Sequence, residues 1–486
     1  MAKSIKINFI FNLISTLSGV LFPLITFPYA SRIMEADGIG QVGFFSSIIS
    51  YISLFTSLGI PIYAIREIAR VRDDESQMNK TAVEILLLHT ALTFIGYIMV
   101  ALMCLFVAKV SIDIPLFLIL STSLFFTAIG CEWFYRGIED FKYITIRGLV
   151  VKVLYVILLF SFVHSKSDLY IYAALTVLGT VGNNIFNFFR LRKYIKPSLL
   201  KLKELSIIRH LAPSLKIFTL NLVISLYLNM NTVMLGFFKD SATVGYYEVA
   251  TKLTGLILGV VQALQNVMIP RFSYLAKEET KKEFDELCQR VMDFVVTISI
   301  PMSLGLLVLS APLIHLFCGL SYEPAIKTLS IMSPIIFLVG LSGISGFQIL
   351  YPLGKENLVI LGTAAGALVN LLVCFVLIPS FAQNGAAIAT LIGEAAVTVT
   401  LFALGRQYIH VKYMSTHYMN CIVGGLLMFV TIYVLSRTIP SDWMKIVIIP
   451  ISGAIVYGAY LFFRKDSFSL YLLEMVKNKV DSYKNR

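Results

Sequence analysis

Residues 357–378 read NLVILGTAAGALVNLLVCFVLI, 22 residues without a charged side chain. A helix of about 20 apolar residues is long enough to cross the ~30 Å hydrocarbon core of a bilayer. Comparable apolar stretches recur along the whole chain, which is 57% hydrophobic and only 14% charged. The sequence therefore predicts an all-α membrane protein with about fourteen transmembrane helices, at residues 9–33, 40–65, 81–108, 114–135, 144–163, 169–189, 213–238, 243–269, 287–311, 324–350, 357–378, 385–404, 418–435 and 444–463.

Basic residues are distributed unequally between the two sides of this predicted bundle. If the N-terminus is cytoplasmic, that side carries 31 of the 40 Lys and Arg residues, and the opposite side carries 7. The positive-inside rule then predicts that both termini are cytoplasmic, which requires an even number of crossings. Topology and attraction to anionic membrane lipids account for the net charge of +12. Nucleic acid is therefore not expected as a partner.

Two short patterns recur in the two halves of the chain. VGFF at 42–45 is echoed by VGYY at 244–247, and TVLG at 176–179 by TLIG at 390–393. Because each unit holds six crossings, the halves should run in the same direction, an arrangement in which transporters hold substrate near the membrane midplane. The predicted organisation is an N-terminal six-helix lobe at 1–195, a cytoplasmic interfacial linker helix at 196–212, a C-terminal six-helix lobe at 213–410, two additional transmembrane helices at 411–465 and a cytoplasmic amphipathic tail at 466–486.

The eighth predicted helix carries a polar stripe on one face. Glu248, Lys252, Gly255, Gly259, Gln262 and Asn266 follow one another at steps of three and four residues. A cation inside a membrane helix costs at least ~2.5–3.5 kcal/mol on insertion scales, so Lys252 needs compensation. It either pairs with Glu248 one turn earlier or faces a wet cavity and binds an anion.

Other predicted helices carry polar residues of similar character. The second helix has Gly43, Ser46, Ser50, Ser53 and Ser57, which serve either close helix packing or a cavity wall. Asn221 in the seventh helix is a further candidate for contact with substrate. Lys152 and Lys216 lie nearer the cytoplasmic ends of the fifth and seventh helices, where they bind substrate or snorkel to the interface. Glu394 is either an ion-coupling carboxylate or a buried hydrogen-bonded acid. Glu248 is a second candidate for ion coupling.

Several motifs resemble the polysaccharide repeat-unit flippases of the Wzx type. They are TFPYASR at 26–32, GIGQVGF at 38–44, LGI at 58–60 and REIAR at 66–70, with Asn370, Ile378-Pro379 and GAAIAT at 385–390 leading to Glu394 in the C-terminal half. This group shares a superfamily with multidrug/cation antiporters and the peptidoglycan-precursor flippase, whose fold is two six-helix lobes.

The resemblance implies a non-enzymatic transporter of the bacterial inner membrane that needs no cofactor or metal. Its substrate would be an undecaprenyl-diphosphate-linked oligosaccharide of an O-antigen, lipopolysaccharide or capsule pathway, moved to the periplasmic leaflet. A polysaccharide polymerase and a chain-length regulator are expected partners. The related precursor flippase has cavity cations in its first, second and eighth helices, and Arg32, Arg66 and Lys252 are nearest by helix here, although the first two lie at helix ends.

Two alternatives stay open beside the flippase. A multidrug/cation antiporter of the same superfamily would need carboxylates in its cavity, and a non-catalytic membrane component of a glycan assembly complex would need no transport site. The chain has no G-x-x-x-x-G-K-[ST] motif, so ATP is not expected to drive transport. The membrane potential or an ion gradient is the expected source, because a diphosphate that leaves an inside-negative cell gains ~4.6 kcal/mol per 100 mV.

Overall fold

A computed structural model describes residues 5–196, 205–277, 281–411, 415–466 and 468 of the chain. These residues are helical almost throughout, which confirms the predicted all-α membrane class. The α-helices are α1 (Ile5–Ser57), α2 (Ile60–Val71), α3 (Glu75–Phe106), α4 (Ala108–Ser111), α5 (Ile114–Ile129), α6 (Glu132–Gly137), α7 (Phe141–Phe162), α8 (Leu169–Val181), α9 (Asn183–Leu191), α10 (Leu211–Phe238), α11 (Ser241–Lys277), α12 (Lys281–Phe317), α13 (Pro324–Met332), α14 (Ile335–Gly343), α15 (Glu356–Leu404), α16 (Thr416–Thr438) and α17 (Asp442–Phe463).

The two longest helices are each interrupted by a single non-helical residue. Glu35 has φ 52° inside the 53 residues of α1, and Ala382 has φ 49° inside the 49 residues of α15. At 1.5 Å per residue either helix would otherwise reach more than ~70 Å, far beyond the hydrocarbon core. The loops expected after the first and the eleventh predicted helices are therefore reduced to sharp breaks.

Four other predicted helices are divided within their length. The second is interrupted at Leu58 and Gly59, with φ 43° and 75°. The fourth is interrupted at Cys131, with φ 41°, and the sixth is bent by 50° at Gly182. The tenth stops before Pro334 and resumes as α14, because proline lacks the N–H that would continue the ladder. It then ends in a π-helical segment, Ile344–Leu350. The apolar runs in the sequence predicted each of these as one continuous helix, and that prediction was wrong.

Ten helices within the described residues are long and apolar enough to cross a membrane, or eleven if the bent pair of α8 and α9 is one crossing. The chain is therefore a multi-pass membrane protein. The count of fourteen and the cytoplasmic position of both termini stay predictions.

The chain forms two compact units, residues 1–245 and 246–486. In the first unit, α1 packs against α3, α5, α7 and α10. In the second, α12 packs against α13 and α14 and also against α16 and α17, the two helices outside the predicted repeat. The boundary falls within α11, so α10 lies in the first unit. The boundaries of the predicted lobes were drawn from sequence similarity and not from packing. The lobes and the repeat both stay predictions. Residues 197–204 of the predicted linker helix and most of the amphipathic tail lie outside the described residues. The described end of the linker is a 3-10 turn, Ile207–His210, followed by the start of α10.

Two glycines allow backbone segments of the first unit to touch. A Cβ on Gly40 would lie 1.7 Å from the carbonyl oxygen of Ser241, and one on Gly245 would lie 1.9 Å from that of Ala36. No side chain fits at such distances, so only glycine permits this contact. Such close approach through small residues is a common way of packing membrane helices.

Gly40→Ala is therefore expected to destabilise the protein by at least ~1–3 kcal/mol, the usual cost of overpacking. The measurement is thermal unfolding of the purified protein in detergent. Gly148→Ala is the matched control, since a Cβ there meets nothing within 4 Å. Equal melting temperatures for the two variants would contradict the close contact.

Candidate functional site

Lys152 occupies the middle of a membrane helix. It is the twelfth of the 22 residues of α7, about 16 Å from the first residue at 1.5 Å per residue. α7 begins three residues earlier than predicted, so Lys152 is central in the helix, and the prediction that it lies nearer the cytoplasmic end of the membrane span stays a prediction. A lysine at mid-helix does not reach the interface as easily as one near a helix end.

The surroundings of Lys152 come from the first half of α1. Its half-buried ammonium donates a hydrogen bond of 2.8 Å to Ser18 Oγ and lies 6.0 Å from the ring centroid of Phe22. Among the described residues it has no carboxylate within ion-pair distance. A hydroxyl and an aromatic face compensate a desolvated cation only in part. The site can therefore accept an anion.

The polar stripe of α11 lies on the unpacked side of that helix. Lys252 and Gln262 are exposed, and a Cβ on Gly255 or Gly259 would meet no atom within 4 Å. Glu248, on the same face, is half-buried. The packed side is formed by Val249, Ala250, Leu253 and Thr254, which are buried. The side chain of Asn266 lies outside the described residues.

The serine stripe of α1 is also turned away from the packed core. Gly43, Ser46, Ser53 and Ser57 are half-buried, and Ser50 is exposed. The residues that pack are instead Phe44, Phe45, Ile48, Ile49 and Ile52, all at most 5% exposed. The partial burial of this stripe is compatible with both interpretations, close helix packing and a cavity wall, and both stay predictions.

The remaining candidate residues lie elsewhere along the helices. Arg32 is exposed and precedes the Glu35 break by three residues, and Arg66 is exposed on α2 with its Nε 3.9 Å from Glu67. Lys216 is exposed in the second turn of α10, a position compatible with both snorkelling and substrate binding. Glu394 is half-buried in the second half of α15. The side chain of Asn221 lies outside the described residues.

A buried polar cluster escaped prediction from sequence. Glu84 on α3 is fully buried, and its Oε1 accepts a hydrogen bond of 2.7 Å from the backbone N–H of Ser206. Its Oε2 lies 2.6 Å from the Arg209 guanidinium and 2.9 Å from Nε2 of His210. The opposite ring nitrogen, Nδ1, lies 2.8 Å from the hydroxyl of Tyr63.

Burial lowers the pKa of His210 and outweighs the opposing effect of the hydrogen bond that the ring donates to Glu84. The ring is therefore neutral at pH 7, with Nε2–H donating to Glu84 and Nδ1 accepting from Tyr63. The cluster attaches the segment before α10 to α2 and α3. A lone Glu in an apolar helix is the only signal in the sequence that points to it.

An analogous buried contact stabilises the second unit. His417 on α16 donates a hydrogen bond of 2.9 Å through Nδ1–H to the carboxylate of Asp466, just beyond α17. Its Nε2 lies 3.1 Å from the hydroxyl of Thr297 on α12. The two helices outside the predicted repeat are thus joined to α12 by hydrogen bonds as well as by apolar packing.

A groove of about 810 Å³ lies in the second unit between α12, α14, α15 and α16. Residues such as Ile300, Leu304, Phe337 and Phe402 line it, and its described lining has no charged side chain. The groove therefore suits hydrocarbon chains and not a diphosphate.

Sequence comparison relates this chain to proteins of glycan export. The sequence profile of a family described as "Polysaccharide biosynthesis protein" matches residues 5–276, more than half of the chain. A protein of Escherichia coli (strain K12) named "Putative O-antigen transporter" is 26% identical over 410 residues, which cover 83% of this chain and 97% of that protein.

Two solved structures share the fold. The lipid II flippase MurJ, in an inward closed conformation, aligns with a TM-score of 0.71 over 94% of this chain and 99% of its own, at 16% identity. An inward-facing multidrug resistance MATE family transporter of the MOP superfamily aligns with a TM-score of 0.62 over 82% of this chain and 97% of its own, also at 16% identity. The resemblance found in the motifs is confirmed, and the chain belongs to the polysaccharide biosynthesis protein family.

Proposed function

We propose that this protein is a flippase for lipid-linked glycans. It moves an undecaprenyl-diphosphate-linked oligosaccharide repeat unit from the cytoplasmic to the periplasmic leaflet of the bacterial inner membrane, by alternating access. The observation that carries the proposal is Lys152, a half-buried cation at mid-helix whose ammonium contacts a hydroxyl and a ring. The relation to an O-antigen transporter over 97% of that protein's length supports the same class of substrate.

The chemistry of the substrate explains why such a cation is useful. The polyprenyl tail is compatible with hydrocarbon, whereas the diphosphate and the sugars are not. Moving two negative charges through a region of low dielectric is costly unless fixed positive groups replace part of their hydration. Lys152, in the first unit, is the cation that we assign to this task. In the second unit, Lys252 and Gln262 are separate candidates for contact with substrate.

The topology that we infer has fourteen crossings and cytoplasmic termini. Dividing α1 at Glu35 and α15 at Ala382 adds two crossings to the eleven candidates, and the 28-residue helix α10 adds one more. The unequal distribution of Lys and Arg supports the orientation. The membrane potential or an ion gradient drives transport, with Glu394 and Glu248 as the carboxylates available for ion coupling.

A multidrug antiporter is the nearest alternative function. The likeness to the MATE family transporter, at 16% identity, concerns the fold alone, whereas the likeness to the O-antigen transporter extends to sequence. A cation substrate would also be repelled by Lys152. We therefore favour an anionic, lipid-linked substrate.

The proposal is tested by deleting the gene and following the polyprenyl-linked repeat units. Accumulation of complete units on the cytoplasmic side, reversed by the intact gene, is the expected result. An unchanged distribution of the units between leaflets would exclude a flippase. It would instead favour a drug antiporter or a component of the assembly complex that transports nothing.

Lys252→Ala is expected to reduce glycan export about tenfold or more, because a charged hydrogen bond to phosphate contributes ~1.5–3 kcal/mol and 1.4 kcal/mol corresponds to a factor of ten. Lys252→Arg should retain much of the activity, since it keeps the positive charge. Export is measured at matched protein levels in the membrane.

The double variant Glu248→Ala with Lys252→Ala separates binding from pairing. If Lys252 binds substrate, the double variant should export as poorly as Lys252→Ala. Normal export by the double variant would mean that Lys252 only neutralises Glu248, one turn away on the same face.

A further inference from the structure

The ends of α7 and α9 in the first unit enclose a small cavity that the proposed transport site does not use. Its volume is about 490 Å³, and both helices contribute to its lining. Arg147 and Arg190 border it together with Lys193, which follows α9. We call this cavity the basic pocket. It lies at the N-terminal end of α7 and the C-terminal end of α9, which the distribution of basic residues predicts to be cytoplasmic.

Positive charge exceeds negative charge around the basic pocket. Arg147 pairs with Glu132, which also pairs with Arg136, and Arg190 pairs with Asp140 at 2.8 Å. The Lys193 ammonium forms no hydrogen bond or ion pair with the described residues. Four basic side chains therefore share two carboxylates, and the excess is available to an anion.

Arg147 retains an unused hydrogen-bond donor. Its side chain is only 3% exposed, and two of its nitrogens bond to Asn187 and Glu132. Its Nε–H is buried and has no hydrogen-bond partner among the described residues. Leaving a buried charged donor unpaired is unfavourable, so an acceptor at the pocket would stabilise it.

Apart from Tyr143, the other lining residues of the basic pocket are apolar and exposed. Ile146 is 46% exposed, Phe186 47% and Phe189 59%. In a membrane-spanning helix such residues contact acyl chains, so the pocket offers an apolar wall beside a cationic end. This combination matches a molecule with an anionic head and hydrocarbon chains. Basic pockets between transmembrane helices on the cytoplasmic side are known to hold such headgroups.

We propose that the basic pocket binds the phosphate of an anionic phospholipid from the cytoplasmic leaflet. Arg147, Arg190 and Lys193 contact the phosphate, and the acyl chains lie along Ile146 and Phe189. The occupant is a phospholipid because the apolar wall faces the surrounding bilayer, where anionic lipids are abundant. The site holds a lipid that stabilises the protein and is separate from the transport of the glycan.

The test uses the purified full-length protein reconstituted in nanodiscs of phosphatidylglycerol or of phosphatidylcholine, followed by native mass spectrometry of retained lipid. Lys193→Gln should lower the retention of phosphatidylglycerol about fivefold, since one basic residue near a membrane contributes ~1 kcal/mol. Ile146→Trp, which fills the pocket, should do the same without removing a charge. Phosphatidylcholine should not be retained by any form.

Lys142→Gln is the matched control, because Lys142 is an exposed lysine in the first turn of α7 that does not line the pocket. Retention of phosphatidylglycerol should be unchanged in this variant. Equal losses in Lys142→Gln and Lys193→Gln would reduce the effect to general surface charge and overturn the proposal. Retention of a polyprenyl diphosphate in preference to phosphatidylglycerol, when both are supplied, would assign the pocket to the transported substrate and overturn it equally.

Discussion

Replacing Lys152 with methionine is expected to reduce glycan export by more than tenfold while the protein remains folded and inserted. Methionine preserves the length and apolar stem of the side chain and removes the ammonium. A charged hydrogen bond to a phosphate contributes ~1.5–3 kcal/mol, which corresponds to a factor of roughly ten to a hundred in binding. Folding should not suffer, because the insertion cost of a mid-helix cation, at least ~2.5–3.5 kcal/mol, disappears with it.

Ser18→Ala is the control that separates substrate binding from packing. It removes the hydroxyl that accepts the hydrogen bond from Lys152 and leaves the positive charge in place. We expect most export to persist in this variant and in Lys152→Arg. If Ser18→Ala lowered export as strongly as Lys152→Met, the ammonium would serve only to join α7 to α1.

The largest effect on stability is expected at Glu84. Glu84→Ala leaves His210, Arg209 and the backbone N–H of Ser206 without their shared acceptor. Breaking a buried ion pair by removing one partner costs ~3–5 kcal/mol. We therefore expect a much lower melting temperature in detergent, with release of the segment that precedes α10.

Glu75→Ala serves as the comparison for Glu84→Ala. Glu75 is an exposed acidic residue in the first turn of the same helix, where its favourable interaction with the helix dipole contributes only ~0.3–1 kcal/mol. Similar melting temperatures for the two variants would contradict the structural role of the buried cluster. Glu84→Gln keeps an acceptor for Ser206 but removes the negative charge. If Glu84→Ala lowers export and Glu84→Gln does not, the cluster depends on hydrogen bonding and not on charge.

The sequence alone determined the class of the protein, its approximate helices and its family. Hydrophobic stretches such as 357–378 identify membrane helices because only a helix satisfies the backbone in hydrocarbon. These are properties of contiguous residues, and so are motifs such as GIGQVGF at 38–44. The polar stripe of α11 was also predictable, since helical periodicity assigns residues to a face without reference to neighbours.

Tertiary structure alone decided which polar residues are paired and where helices break. Glu84 contacts His210, which lies 126 positions further along the chain. No local pattern in the sequence predicts that contact. Glu35 and Ala382 adopt positive φ, which non-glycine residues tolerate only when the surrounding structure imposes it. The environment of Lys152 likewise depends on α1 packing against α7. The desolvation of a charged side chain is set by the neighbouring helices and not by the helix that carries it.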